Sequence, residues 1–210
     1  MVNCLLCQKN QTEIVGIFNN VEFLKCNNCH SVFKNPSGFV TFEAEKERYL
    51  LHDNDVENFD YQNFVKPLVN EVLLDFSAEA EILDFGAGTG PVIAKLLSEK
   101  GFNLKLYDPF FHPDRRVLED KYDVIICCEV MEHFRKPNEE FKILKNLLLP
   151  NGKLYCMTQL LPEAESFSNW NYKNDITHVF FYSEKTITWI AEVFNFSGFK
   201  IEGRLIVFEN

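Results

Sequence analysis

"ILDFGAGTG", residues 82–90, is the stretch on which the fold turns. A short apolar run carrying Asp84 leads directly into glycines at 86, 88 and 90, every second position. The next segment, "PVIAKLLSEKG" (91–101), reads as a helix, with Pro91 in its first turn and Gly101 past its end. Strand, bare turn and helix in that order describe a loop built for a ligand. Glycine lets the backbone bend sharply and lets a bound group approach without meeting a Cβ. A dinucleotide loop has the spacing G-x-G-x-x-G and sets a pyrophosphate on the helix N-terminus. Here the spacing is G-x-G-x-G, and an acid stands two residues ahead of the first glycine. That acid suits a ligand carrying an amine better than one carrying a pyrophosphate.

Outward from this loop the chain alternates strand and helix. "NLKLYD" (103–108) reads as a strand ending in Asp108, and "YDVIICCE" (122–129) is a continuous apolar run, as expected of a strand covered on both faces. "NEEFKILKNLLLPNG" (138–152) reads as a helix capped by Asn138. "KLYCMTQL" (153–160) is a strand, "SEKTITWIAEVFNFSGF" (183–199) a helix capped by Ser183, and "KIEGRLIVFEN" (200–210) a closing hairpin. The alternation predicts an α/β fold, an open sheet with ligands at the carboxyl ends of its strands. An acid placed like Asp108 can accept both hydroxyls of a ribose.

The glycine loop, Asp108, "YDVIICCEVMEHF" (122–134) and "NGKLYCMT" (151–158), in that order, resemble the class I S-adenosylmethionine-dependent methyltransferases. The resemblance covers residues 81–200. It implies a Rossmann-like methyltransferase sheet with helices on both faces, spanning residues 80–210. It further implies that Gly86, Ala87, Gly88 and Gly90 cover the methionine and ribose of S-adenosyl-L-methionine. By the same resemblance Asp84 holds the amino-acid end, Asp108 binds the ribose and Glu129 joins the cofactor residues. One departure is visible. Only "PFFHPDRRVLEDK" (109–121) lies where the family fits a helix and a third strand, so this chain must shorten or skip those elements. Pro109 and Phe110 are candidates to wall the adenine, and Glu119 and Asp120 are candidates for the acid that touches it.

If "EVMEHF" (129–134) starts a helix, Glu129, Glu132 and His133 share one face. "DITHVFFY" (175–182) adds His178. Two carboxylates and two imidazoles suit a divalent ion such as Mg²⁺, Mn²⁺, Fe²⁺ or Zn²⁺. The set is similar to that of the small-RNA 2′-O-methyltransferases, and the post-strand motif to that of the ubiquinone O-methyltransferases. The resemblance implies a second divalent cation on Glu129, Glu132, His133 and His178 that lowers the pKa of an acceptor hydroxyl. Without that ion, the stretch can simply cap a helix, and His178 or His133 becomes the candidate catalytic base. His52 and Tyr61 are weaker candidates, on a segment able to fold over the cofactor. Trp170, Tyr172 and Trp189 can line an acceptor pocket.

Cys4-x₂-Cys7 and Cys26-x₂-Cys29 form two pairs, each able to grip one ion, and together they complete a tetrahedral thiolate shell. Residues 1–36 are therefore expected to be a small zinc-ribbon module with structural Zn²⁺. Residues 37–79, helical in pattern, are expected to form a linker or lid, with Pro67 marking a kink or restart. Cys127, Cys128 and Cys156 sit in apolar runs as small hydrophobes.

Composition bounds the rest. Of 210 residues 46% are apolar, enough for a full core. The net charge of −10 argues against a broad phosphate-gripping surface, hence against nucleic acid as the partner. No stretch has the length of a membrane span, and no basic region leads an apolar run at the N-terminus, so a cytoplasmic protein is expected. The expected activity is methyl transfer to a small-molecule acceptor. Two alternatives stand beside it. One is an rRNA guanine methyltransferase, which would bind RNA with a steep salt dependence. The other is a non-catalytic methyltransferase-like protein that docks a partner through its ribbon and binds no S-adenosylmethionine.

Overall fold

A computed structural model describes residues 2–51, 55–161 and 167–210. His52 lies outside the described residues. The chain opens with three strands: β1 (Thr12–Phe18), β2 (Val21–Cys26) and β3 (Val32–Lys34). Asn19 and Asn20, both with positive φ, make the two-residue turn that matches the twist of the β1–β2 hairpin. Two helices follow, α1 (Phe42–Leu50) and α2 (Phe59–Asp75). Thr41 caps the first and Asn58 the second, and α2 runs through Pro67 without a break.

The glycine stretch begins a second layer system: β4 (Ile82–Phe85), α3 (Val92–Ser98), β5 (Leu104–Tyr107), β6 (Tyr122–Cys128), α4 (Pro137–Leu147) and β7 (Leu148–Met157). It continues with β8 (Phe180–Phe181), α5 (Glu184–Val193), β9 (Gly198–Glu202) and β10 (Leu205–Glu209). Six strands form one mixed sheet in the order β5-β4-β6-β7-β10-β9. The first four are parallel, and β10 runs antiparallel between β7 and β9. Alternate side chains of each strand enter different cores. Leu83, Ile125, Cys127 and Leu154 meet α4 and α5 on one face, whereas Ile82, Val124, Ile126 and Tyr155 meet α2 and α3 on the other. The Rossmann-like α/β fold with helices on both faces is as expected.

The expectation for residues 109–121 resolves as a skip. The segment makes one bridge, Asp108 to His112, and a 3₁₀ turn at Arg115–Glu119, so β5 is left as the edge of the sheet. The cap of α4 is a correction. Pro137 starts that helix and Asn138 lies inside it, where its Nδ2 donates to the Leu6 carbonyl (2.7 Å) instead of capping. Ser183 does cap α5, in a reciprocal box with Thr186.

A second, four-stranded sheet has the order β1-β2-β3-β8. Its fourth strand comes from 180–181, far along the chain, and pairs Phe33 with Phe180 and Val32 with Phe181. Leu6, Leu24 and Phe33 of the N-terminal segment join the same core cluster as Ile125, Phe141 and Ile187. No helix among the described residues is long and apolar enough to cross a membrane.

Candidate active site

The glycine turn is shaped by its backbone. Gly86 has φ +88° and Gly88 φ +64°, the region that L side chains avoid. A Cβ at Gly86 would lie 2.3 Å from Val130 Cγ2. The N–H groups of Gly86 and Ala87 both donate to the Tyr107 carbonyl (2.7 and 3.2 Å), tying the turn to the end of β5. Asp108 closes it: its Oδ2 accepts from Gly88 N (3.1 Å), and its Oδ1 accepts from Phe110 N (2.8 Å) and Phe111 N (3.0 Å).

Asp84 lies at the carboxyl end of β4, beside that turn. Its carboxylate is 4% exposed and has no hydrogen-bond or ion-pair partner among the described residues. Burial, aided by the charge of Asp108, pushes its carboxyl up to about 7. The two acids thus share one electrostatic environment around the bare loop.

Beyond β6 the expected helix does not form. Glu129 has φ +52°, and only a 3₁₀ turn, Met131–His133, follows. Glu129, Glu132 and His133 therefore do not share a helical face; the left-handed residue at the strand end sends the first acid elsewhere. Glu129 pairs with Arg204 (3.1 Å), carried by the turn between β9 and β10. Glu132 is fully buried. Tyr172 Oη contacts Glu129 Oε2 (3.1 Å), Glu132 Oε1 and Thr158 Oγ1 (3.2 Å). A phenol carries a single proton, so it can donate to only one of the two carboxylates at a time. Burial first, with mutual repulsion acting on Glu129, pushes both carboxyls up to about 7.

Ligating atoms of Glu132, His133 and His178 all lie within 4.8 Å of one another. His133 Nδ1 donates to the Thr177 carbonyl (3.0 Å), and His178 Nδ1 donates to the Tyr172 carbonyl (2.7 Å). Burial lowers both imidazole pKa values, His178 to about 3, so each ring is neutral and its Nε2 carries a lone pair. Glu132 Oε2 is buried without a partner. Two oriented imidazoles and an orphaned carboxylate oxygen fit a divalent cation, with the second-shell carbonyls such ligands use. Glu129 stands outside this group.

The N-terminal helices roof the site. Tyr49 sets its ring edge-to-face on His133 (5.3 Å) and tilts against Phe110 (5.9 Å). Burial, reinforced by the nearby charges of Asp84, Glu129 and Glu132, pushes the Tyr61 phenol well above its ordinary value. Phe110 thus packs under α1. Asp120 instead forms an exposed ion pair with Lys105 (3.0 Å), and Glu119 is exposed as well. Trp170 packs on Phe167 and Phe181, while Trp189 meets Phe194 on α5. Arg204 and Thr158 escaped the sequence reading. A basic residue beside the turn glycine of the last hairpin was the only signal for Arg204.

The four N-terminal cysteines also converge, with ligating atoms within 4.8 Å. Cys4 and Cys29 sulfurs are 3.4 Å apart, as are those of Cys7 and Cys26. The two loops have the same geometry. Gln8 and His30, each following the second cysteine of its pair, both have φ +61° and donate their N–H to the Cys4 and Cys26 carbonyls. Asn28 N points at Cys26 Sγ (3.4 Å). Two equivalent knuckles facing each other fit one tetrahedral ion.

Comparison with known proteins bears on this site. Residues 58–200 match a family described as "Methyltransferase domain". No curated protein matches the chain by sequence. The fold is similar to an O-methyltransferase family protein from Burkholderia thailandensis, with TM-score 0.56 and 16% identity over 79% of this chain and 61% of that one. It is similar to human N-acetylserotonin methyltransferase in complex with SAM, with TM-score 0.53 and 13% identity over 71% of this chain and 53% of that one. It is also similar to magnesium protoporphyrin IX methyltransferase from Synechocystis PCC 6803 with bound SAH, with TM-score 0.50 and 15% identity over 81% of this chain and 95% of that one. The chain spans about half to three-fifths of the length of the first two. At these identities the likeness is one of fold.

Proposed function

Because the chain belongs to the methyltransferase-domain family, we propose that it moves the methyl group of S-adenosylmethionine to a hydroxyl of a small molecule, with a divalent cation at the acceptor. The observation that carries the reading is Asp84, a buried carboxylate with no partner among the described residues, set beside a glycine turn that Asp108 closes. A ligand with an ammonium at one end and a ribose in the middle satisfies both acids.

In this reading Asp84 binds the ammonium, and Asp108 orients the ribose. Gly86, Ala87, Gly88 and Gly90 let the cofactor lie against the backbone, and Glu129 borders it. When bound, the cofactor supplies an electrophilic methyl on sulfonium, so the protein's main tasks are alignment and exclusion of water. Tyr49 and Tyr61 serve the second task as part of a lid over residues 37–79. Glu132, His133 and His178 hold the cation, with Tyr172 fixing Glu132. When bound, the cation supplies a Lewis acid that lowers the pKa of the acceptor hydroxyl. The neutral imidazoles are the alternative proton acceptors if no cation binds. Cys4, Cys7, Cys26 and Cys29 hold structural zinc in a ribbon of residues 1–36, and residues 80–210 form the catalytic domain. The fold's O-methyltransferase neighbours support an oxygen acceptor.

Calorimetry on the zinc-loaded chain tests the first claim: saturable heat with S-adenosylmethionine is expected, weakened at least tenfold by Asp108→Ala. Absence of heat in the folded protein overturns the reading. Transfer of a labelled methyl to a panel of hydroxyl compounds, with and without Mn²⁺, tests the rest.

A further inference from the structure

A small cavity of about 120 Å³ opens between the N-terminal hairpin and the segment 173–176. It shares no lining residue with the Glu132, His133 and His178 group. Two lysines line it, Lys34 from β3 and Lys173, only 4% and 7% exposed. Lysine is almost never buried without an anionic partner. Neither of these forms an ion pair among the described residues. Lys34 Nζ donates to the Ile176 carbonyl (2.7 Å), and Lys173 Nζ donates to the Ser168 and Trp170 carbonyls (2.8 and 3.0 Å). An ammonium has three N–H groups, so two remain on Lys34 and one on Lys173. Asp175 is the one acid among the described lining residues, and it is committed to Arg48 (2.9 Å) and Thr177 (2.6 Å). Phe18 and Phe23 complete the wall beneath the two ammonium groups, 4.9 Å from Lys173 and 6.0 Å from Lys34. Asn19 and Asn174 add amides at the rim.

We propose that this cavity is a binding site for a small oxyanion, a phosphate or carboxylate group, held between Lys34 and Lys173. A chain of net charge −10 has carboxylates to spare, yet its fold puts two lysines on one cavity, while Asp175 on the lining and Glu45 farther off are each paired with an arginine, Arg48 and Arg135. Burial lowers the Lys34 ammonium to about 8, which a bound anion would reverse. The site goes beyond the methyl-transfer reading and does not depend on it. The anion is either free in solution or the acidic group of a larger ligand.

Inorganic phosphate and acetate, titrated separately by calorimetry into the zinc-loaded chain at low ionic strength without S-adenosylmethionine, test the proposal. Saturable heat and a raised melting temperature are expected with at least one. Saturation by phosphate identifies a phosphate-type ligand, and saturation by acetate a carboxylate. Lys34→Met and Lys173→Met should each weaken binding at least tenfold. If either fails to fold, Asn174→Asp, at an exposed rim position, should weaken binding while leaving the melting temperature of the anion-free protein in place. No saturable heat with either anion, or an affinity unchanged by the folded variants, overturns the proposal.

Discussion

Asp84 owes its chemistry to where β4 ends. Its folded-state carboxyl sits at about 7, above the ordinary 3.8. The stability this group lends the ligand-free fold is therefore complete below about pH 3.8 and lost as pH rises through about 7. Binding has the opposite slope. An ammonium ligand needs the ionised carboxylate, so affinity for S-adenosylmethionine should fall as pH drops below about 7, approaching tenfold per unit, and flatten above it. Calorimetric titrations across pH 5.5–8.5 check this, and Asp84→Asn should remove the slope. Gly86 makes a steric prediction. Its φ of +88° and the 2.3 Å approach of a Cβ to Val130 mean that Gly86→Ala should destabilise the fold by roughly 1–3 kcal/mol. Adding Val130→Ala should relieve the collision and leave the backbone strain, so denaturant melts should show partial rescue. These two residues were readable in advance because a carboxylate and a bare backbone announce their chemistry by type. Arg204 was not, since nothing in a lone arginine says that its partner lies 75 positions earlier in the chain.

Among the elements, β8 has the most consequence for its length. Two residues join the cysteine sheet to the segment carrying His178, through Phe33 with Phe180 and through Lys34 N to the Val179 carbonyl (2.8 Å). Val179 N in turn donates to the Glu132 carbonyl (2.9 Å), and Ser183 Oγ donates to the carbonyl of His30, next to Cys29 (3.3 Å). The cysteine knuckles are thereby wired by backbone to two of the three residues of the candidate cation group. Structural zinc in small modules contributes on the order of 10 kcal/mol to folding. If the four cysteines hold zinc as proposed, stripping it with a chelator should abolish Mn²⁺ binding at Glu132, His133 and His178, as read by paramagnetic broadening of the histidine ring resonances. Retention of Mn²⁺ binding after complete zinc loss would show the two sites to be uncoupled. Strands and the Ser183 helix were legible because periodicity and caps are local. The stretch after β6 was not: its helical spacing is real, but Glu129 turns left-handed, where Val130 packs on Gly86 and Arg204 takes the carboxylate. A cap signal at Asn138 failed likewise, because Pro137 starts the helix one residue earlier and leaves Asn138 inside its first turn.

Taken whole, the molecule has two sheets and a core that crosses between them. Leu6, Leu24 and Phe33 pack in one cluster with strands and helices of the larger sheet, and Phe33 stacks on Phe180 at 6.1 Å. Removing residues 1–36 should uncover this apolar face, and a chain of 37–210 should bind hydrophobic dyes and aggregate, as light scattering would report. A soluble truncated monomer with an unshifted melting temperature would make residues 1–36 a mere appendage. The zinc-loaded full chain should unfold in a single calorimetric transition. By itself the amino-acid order determined the Rossmann-like sheet, the glycine turn with its two acids, and the pairing of cysteines into knuckles, because each depends on neighbours a few residues apart. Only the tertiary structure decided that β8 leaves the large sheet's segment to complete the small one. It alone selected Glu132 over Glu129 beside the two imidazoles, and it alone brought Lys34 and Lys173 to one cavity. Those outcomes depend on packing between distant segments, and packing energy is set by shape and burial that no local pattern encodes.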